Sequence, residues 1–201
     1  MIKIGIANLF TPNIINFALP SYEVTRIYAA KHNYGFVSES KILDETRPPA
    51  WSKIKLIQRM IEDYDWVWWL DADAVITKLD KKLESIIEQA GEEDFLIISK
   101  DTNQINSGSF FIRNCHIATE FLTEVYGRED CIHHIWWEQQ AMIKVLEQEK
   151  YSSKVKVLDQ HEFNSMPDVW KEGDFVVHMP GKYKGMREKL INKWRNKWIS
   201  K

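Results

Sequence analysis

The sequence has 201 residues, 44% hydrophobic and 12% aromatic, with a formal net charge of -2. These values exclude a disordered or fibrous chain and fit one compact domain over residues 1–201 with a full-sized core. No apolar run approaches the ~18 residues of a membrane span and MIKIGIANLF lacks the start of a signal peptide, so the expectation is a cytosolic chain without a transmembrane segment.

IKIGIANL reads as a strand, YEVTRIYAAKH as a helix, FVSESKIL as a strand, KIKLIQRMIEDY as a helix and WVWWL as a strand. LDKKLESIIEQA follows as a helix, DFLIIS and SGSFFIR as strands, and NCHIATEFLTEVY as a helix with Asn114 as its N-cap. IWWEQQAMIKVLEQE is expected to be helical, VKVLD and DFVVHM extended. GMREKLINKWRNKWIS closes the chain, with Met186, Leu190, Ile191, Trp194, Trp198 and Ile199 as a helical stripe that packs on the body. From Lys182 onward there are eight Lys/Arg and one Glu, so a basic end is joined to an acidic body that opposes nucleic acid. Cys115 and Cys131 are too few and too far apart for a zinc site and are expected as free thiols. The alternation, unbroken by a linker, predicts an α/β fold with a mostly parallel central sheet flanked by helices. Such sheets bind ligands beyond the carboxyl ends of their strands.

WVWWLDADAVI places two carboxylates at such an end. WVWWL is apolar without alternation, as a strand covered on both faces must be. In an extended chain Asp71 and Asp73 share a face about 7 Å apart, and Ala72 and Ala74 leave room for a partner. Two unit charges ~4 Å apart at an effective dielectric of ~20 repel by about 4 kcal/mol, so a bare pair tends to hold a proton. A divalent cation removes that penalty, and a metal is the economical reading. The alternative is a hydrated surface turn.

WVWWLDADAVI, NSGSFFIRN, WWEQQAM and VVHMPG, in this order, resemble the retaining α-glycosyltransferases of plants and fungi that transfer galactose, xylose or mannose, glycosyltransferase family 34. The similarity covers most of the chain, YAAKHNYGF and WSKIKLIQRM included. It implies a GT-A (Rossmann-like) fold, a nucleoside-diphosphate sugar donor such as a UDP-sugar, a glycan or glycoconjugate acceptor, and Mn2+ with Mg2+ as a substitute. It also implies Asp71, Asp73 and His178 as the metal ligands, with Ala72 beside the donor. A mixed carboxylate and imidazole set suits Mn2+ better than Mg2+.

The same resemblance places Asn106, Ser107, Gly108 and Asn164 near the donor sugar, and Ala7, Asn8 and Lys53 near the nucleotide. Glu138 and Gln139 match the family's Asp-Gln pair beside the reacting carbon. Glu138 would stabilise an oxocarbenium ion or act as nucleophile, and Gln139 would orient the sugar. The family usually carries a further acid one position earlier, where this chain has Trp137, and that departure leaves front-face substitution as open as double displacement. In MPGKYKG, Gly181 allows close backbone approach and Lys182 or Lys184 can hold the diphosphate. Trp136, Trp137 and Trp170 can stack on acceptor sugar or pack in the core.

Two other functions fit parts of the sequence. LDADAV also follows the haloacid-dehalogenase pattern, in which Asp71 would accept a phosphoryl group and Asp73 act as an acid. A sugar-nucleotide-binding module without turnover would keep the same pocket. Relatives of the resembled family usually carry a membrane anchor and work in the Golgi. A bacterial or viral cytosolic version, or one domain of a longer polypeptide, is the expectation here.

Overall fold

The structure, a computed structural model, describes residues 2–102 and 104–199. Its central sheet is built from β1 (Ile4–Leu9), β2 (Gly35–Glu39), β3 (Trp66–Leu70), β5 (Leu96–Lys100), β6 (Ile105–Arg113) and β7 (Val155–Leu158), in the order β2-β1-β3-β6-β5-β7. Five strands run one way and β6 runs against its neighbours β3 and β5. The sheet is therefore mostly parallel, as the alternation predicts. The reversal at β6 has a local cause: it follows β5 after a connection too short for a crossover, and such a connection joins only antiparallel strands.

The helices cover both faces. Trp66, Trp68 and Leu70 of β3 enter one core with α1 (Ile15–His32) and α7 (Arg187–Ile199). Val67 and Trp69 enter the other with α2 (Ser52–Met60), α4 (His116–Tyr126) and α5 (Trp137–Val145). All five β3 residues are buried, which accounts for the missing alternation. Trp68 lies between the rings of Phe111 and Phe175, 5.6 and 5.4 Å away, and its Nε1 donates to Ser109 Oγ at 2.9 Å. Burial of each such side chain stabilises the fold by roughly 1.5–3 kcal/mol.

A second, two-stranded sheet was not evident in the sequence. Residues 74–76, directly after the Asp pair, form β4 (Ala74–Ile76), which pairs antiparallel with β8 (Val176–His178), Ala74 opposite His178. DFVVHM is a strand as expected, but it belongs to this small sheet.

Other elements differ in extent. Only Glu84–Ile87 of LDKKLESIIEQA becomes an α-helix (α3), and Glu149–Ser152 adds a separate short one (α6). The N-cap of α4 is Cys115, without a side-chain cap bond, while the Asn114 backbone N–H is occupied by Asp65 O at 2.9 Å. In α7 the stripe buries Ile191 and Trp194 against the body, whereas Met186 and Ile199 remain exposed. Cys115 and Cys131 are free thiols. No described helix is long and apolar enough to cross a membrane.

Candidate active site

The chain between β3 and β4 turns: the Ala74 N–H donates to Asp71 O at 3.0 Å. The Asp pair is therefore not extended, as the sequence suggested, and Asp71 ends the large sheet while Asp73 enters the small one. The Asp71 N–H continues the β3–β6 ladder onto Gly108 O at 2.8 Å, and Asp73 O accepts from the Met179 N–H at 2.9 Å. That second bond brings His178 beside the turn. Nε2 of His178 lies 3.3 Å from Asp73 Oδ1 and 3.9 Å from Asp71 Oδ2. One ligand atom from each of the three residues falls within 4.8 Å of the others.

Each carboxylate spends its second oxygen on a fixing partner. Asp71 Oδ1 accepts from Trp69 Nε1 at 2.6 Å and lies 3.2 Å from Lys53 Nζ, and Asp73 Oδ2 lies 2.7 Å from Arg187 Nη2. Burial alone would raise the Asp73 carboxyl, but the His178 ring and the Arg187 guanidinium outweigh it and hold it below the usual carboxylate range. Mutual repulsion of the pair is thus already offset by two cations, and the stronger sign of a metal is His178. Its Nδ1 is buried without a hydrogen-bond partner, and its Nε2 meets only the Asp73 and Asp71 carboxylates, at 3.3 and 3.9 Å. An imidazole nitrogen aimed between two carboxylates is placed to share a cation with them. The donor set of two carboxylates and one imidazole nitrogen fits a divalent cation.

Lys53 extends the cluster. Its buried ammonium bonds Ser107 O at 2.8 Å and Glu138 Oε1 at 2.8 Å as well as approaching Asp71. Burial works against its charge, but the carboxylates of Asp71 and Glu138 overcome that and raise the Lys53 ammonium above the ordinary lysine range. Glu138, buried at the start of α5, gives Oε1 also to Ser107 Oγ at 3.0 Å, while its Oε2 is buried with no partner. Gln139 Oε1 accepts from the Ser107 N–H at 3.0 Å. Asp71, Asp73 and Glu138 face Lys53 and Arg187, so the cluster has one more negative charge than positive.

Above the cluster opens a cavity of about 660 Å³. Lys53, Asp71, Asn106, Ser107, Gly108 and His178 form one part of its lining, and Glu138, Gln139, Gly181 and Lys182 another. Asn106 to Gly108 reach it because the β5–β6 register breaks between Ile98 and Ser99: Ile98 pairs with Phe110 but Ser99 with Asn106, and the residues between bulge toward the site. Gly108 has a steric reason to be glycine. A β-carbon there would lie 2.0 Å from His178 Cε1. Gly181 has a conformational one, with φ +35 and open space around it.

The other sequence-expected residues, Lys182 apart, lie outside the lining. Ala7 is fully buried in the core, and Asn8 is buried with its Nδ2 bonded to Leu70 O at 2.7 Å, so both stand behind the end of β3. Ala72 is buried in the turn between the two aspartates. Asn164 is buried, donating to Ser99 Oγ and Asn106 Oδ1 at 3.0 Å each; it supports the bulge from beneath. Lys182 Nζ pairs with Asp168 at 3.3 Å at the exposed cavity rim, whereas Lys184 is exposed away from the lining.

Sequence reasoning missed Arg187 and Trp69. Arg187 is one of eight cations in the basic end of the chain, and nothing local marks it as the one whose Nε bonds Met179 O at 2.8 Å while Nη2 reaches Asp73. Trp69 precedes Asp71 by two residues, a spacing that in a strand puts both on one face and could have signalled the contact.

A family model described as the galactosyl transferase GMA12/MNN10 family matches residues 12–90 and 84–186. An uncharacterized alpha-1,2-galactosyltransferase of Schizosaccharomyces pombe is 30% identical over 205 residues, covering 78% of this chain and 54% of its own length. A second alpha-1,2-galactosyltransferase of the same yeast is 24% identical over 225 residues, covering 87% of this chain and 59% of its own. The chain thus spans a little over half the length of these relatives. Among solved structures, a glycosyltransferase involved in the glycosylation of the major capsid of PBCV-1 superposes with a TM-score of 0.80 at 20% identity, covering 95% of this chain and 99% of that one. That likeness is one of fold, and it matches the expected GT-A architecture.

Proposed function

This chain belongs to the galactosyl transferase GMA12/MNN10 family, and we propose that it is a metal-dependent glycosyltransferase that moves a sugar, with retention, from a UDP-sugar to a hydroxyl of a glycan or glycoconjugate. The observation that carries this reading is the convergence of Asp71, Asp73 and the buried His178 under a cavity that also holds Lys53, Glu138 and Gln139. Asp71, Asp73 and His178 would hold Mn2+, or Mg2+ in its place, and such an ion neutralises the charge that gathers on a departing diphosphate.

The chain's own residues supply the rest. Lys182 pairs with Asp168 through an exposed ion pair, worth little, beside the Tyr183 ring, and can exchange that carboxylate for a phosphate oxygen. Gln139 is held by the Ser107 N–H through its oxygen, which leaves its amide nitrogen as the donor for a sugar hydroxyl. Glu138 is clamped at Oε1 by Lys53 and Ser107, and its unpartnered Oε2 is the oxygen left for an electron-poor sugar carbon. A carboxylate fixed in this way favours front-face departure, in which Glu138 stabilises the oxocarbenium-like centre by charge. The buried Lys53 and Trp69 and the half-buried Arg187 keep Asp71 and Asp73 in place.

Incubation with UDP-galactose, UDP-glucose, UDP-xylose and GDP-mannose, with and without Mn2+, tests the proposal by release of free nucleotide. We expect Mn2+-dependent release from a UDP-sugar, lost in Asp73→Asn and His178→Ala, and no hydrolysis of p-nitrophenyl phosphate. Nucleotide binding without release from any donor would instead fit the module without turnover. The matched family is one of galactosyl transferases, which favours this reading over the phosphatase alternative.

A further inference from the structure

The cavity is polar at its floor, and its mouth carries an apolar stretch besides the ion pair of Lys182 with Asp168. Ile135, Trp136 and Trp137 form one stretch of its lining, and they are 79%, 37% and 43% exposed; Val169, 37% exposed, joins them from the segment before β8. Exposed large apolar side chains are ordinary when scattered, but a contiguous group at the entrance of a ligand cavity is not.

The stretch is also held rigidly. The Trp136 N–H donates to His134 Nδ1 at 3.1 Å, the Trp137 N–H to His134 O at 2.9 Å, and the Gln139 N–H to Trp136 O at 3.0 Å. The His134 ring meets Trp136 edge-on at 5.8 Å. Trp137 sits at φ +42, in the left-handed region where a bulky residue is strained. A simple helix start would not need that conformation, since the same turn is open to glycine or asparagine without the cost. The strained residue immediately precedes Glu138 and Gln139, so Trp137 stands one residue from the groups assigned to the reacting centre.

We propose that Trp136 and Trp137 form a stacking platform for a pyranose ring of the acceptor, and so set which glycans reach the cavity. The ligand class follows from the surfaces. A pyranose carries an apolar C–H face that covers a flat indole, while its hydroxyls turn to the polar floor. The strip itself is uncharged, so its contribution is to the apolar face of the sugar. This inference rests on the transferase reading of the same cavity.

The test is calorimetric titration of the protein, saturated with UDP and Mn2+, with cellohexaose and mannohexaose. The wild type is expected to bind at least one of them. Trp136→Ala and Trp137→Gly are each expected to weaken that binding roughly tenfold, the scale of one lost aromatic contact. Val157→Ala, which trims an exposed apolar residue on β7 outside the cavity, is expected to leave it unchanged. Trp137→Gly should also melt at a higher temperature than Trp137→Ala, the reverse of the order in an ordinary helix, which separates lost stacking from misfolding. Absence of binding to both sugars, or binding that the tryptophan variants do not weaken, overturns the platform. Failure of UDP to bind or of donor to be cleaved speaks against the transferase reading, and leaves a distinct signature from normal nucleotide turnover with unaltered glycan affinity.

Discussion

Gly108 and His178 touch so closely that each dictates the other. A β-carbon at residue 108 would come within 2.6 Å of both ring nitrogens, so Gly108→Ala must turn the imidazole out of place. We expect Mn2+ affinity to fall by about tenfold to a hundredfold, measured by calorimetry, with a smaller change in melting temperature. Lys53 makes the opposite prediction. Lys53→Met leaves the buried Glu138 carboxylate without its cation, and the fold should lose about 3–5 kcal/mol in urea unfolding, because a buried charge stripped of its partner is costly. The Asp pair and the apolar strand before it can be read directly from the residues, whereas the contact of Gly108 with His178 cannot. That the pair is turned, and that Lys53 binds Asp71 and Glu138 together, cannot be read: both depend on residues far apart in the chain meeting in space.

At the level of elements, long apolar runs were legible because their burial on both faces leaves no alternation to confuse with a helix, and β1, β3, β5 and β6 follow them. β4 was not, since three residues carry no period and its partner strand lies near the other end of the chain. The segment leading into β8 shows what such distant pairing costs and returns. Asp174 Oδ2 accepts from His161 Nδ1 at 2.7 Å, Ser165 Oγ at 2.8 Å and the Lys171 N–H at 2.9 Å. Burial pushes its carboxyl up, but the His161 ring, the Lys171 amide and the Ser165 hydroxyl together bring it below the usual range. A depressed folded value means that the ionised Asp174 stabilises the fold above the ordinary carboxylate range, and that this contribution is lost as the pH falls toward the depressed value. Thermal melts of the wild type and Asp174→Asn should therefore differ most near neutral pH and converge on acidification.

For the molecule as a whole, a metal that binds only the folded state must stabilise it. At a hundredfold excess over its dissociation constant Mn2+ should add about 2.7 kcal/mol, with more on addition of UDP, and Asp73→Asn should show neither shift in a thermal melt. The mostly parallel sheet and its two cores were legible from the order of the elements; the small sheet that completes the site was not. Its consequence lies in mechanics. Asp71 directly follows a strand of one sheet, whereas Asp73 leads into the other, which contains His178, with Arg187 bracing Asp73 from α7. A cation shared by the three would rivet two separately hydrogen-bonded plates across a seam. Amide protons of Val75, Ile76 and Val177 should then exchange more slowly with Mn2+ and UDP present, while those deep in β1 keep their rate, and the departure of the nucleotide would loosen the very joint that held it.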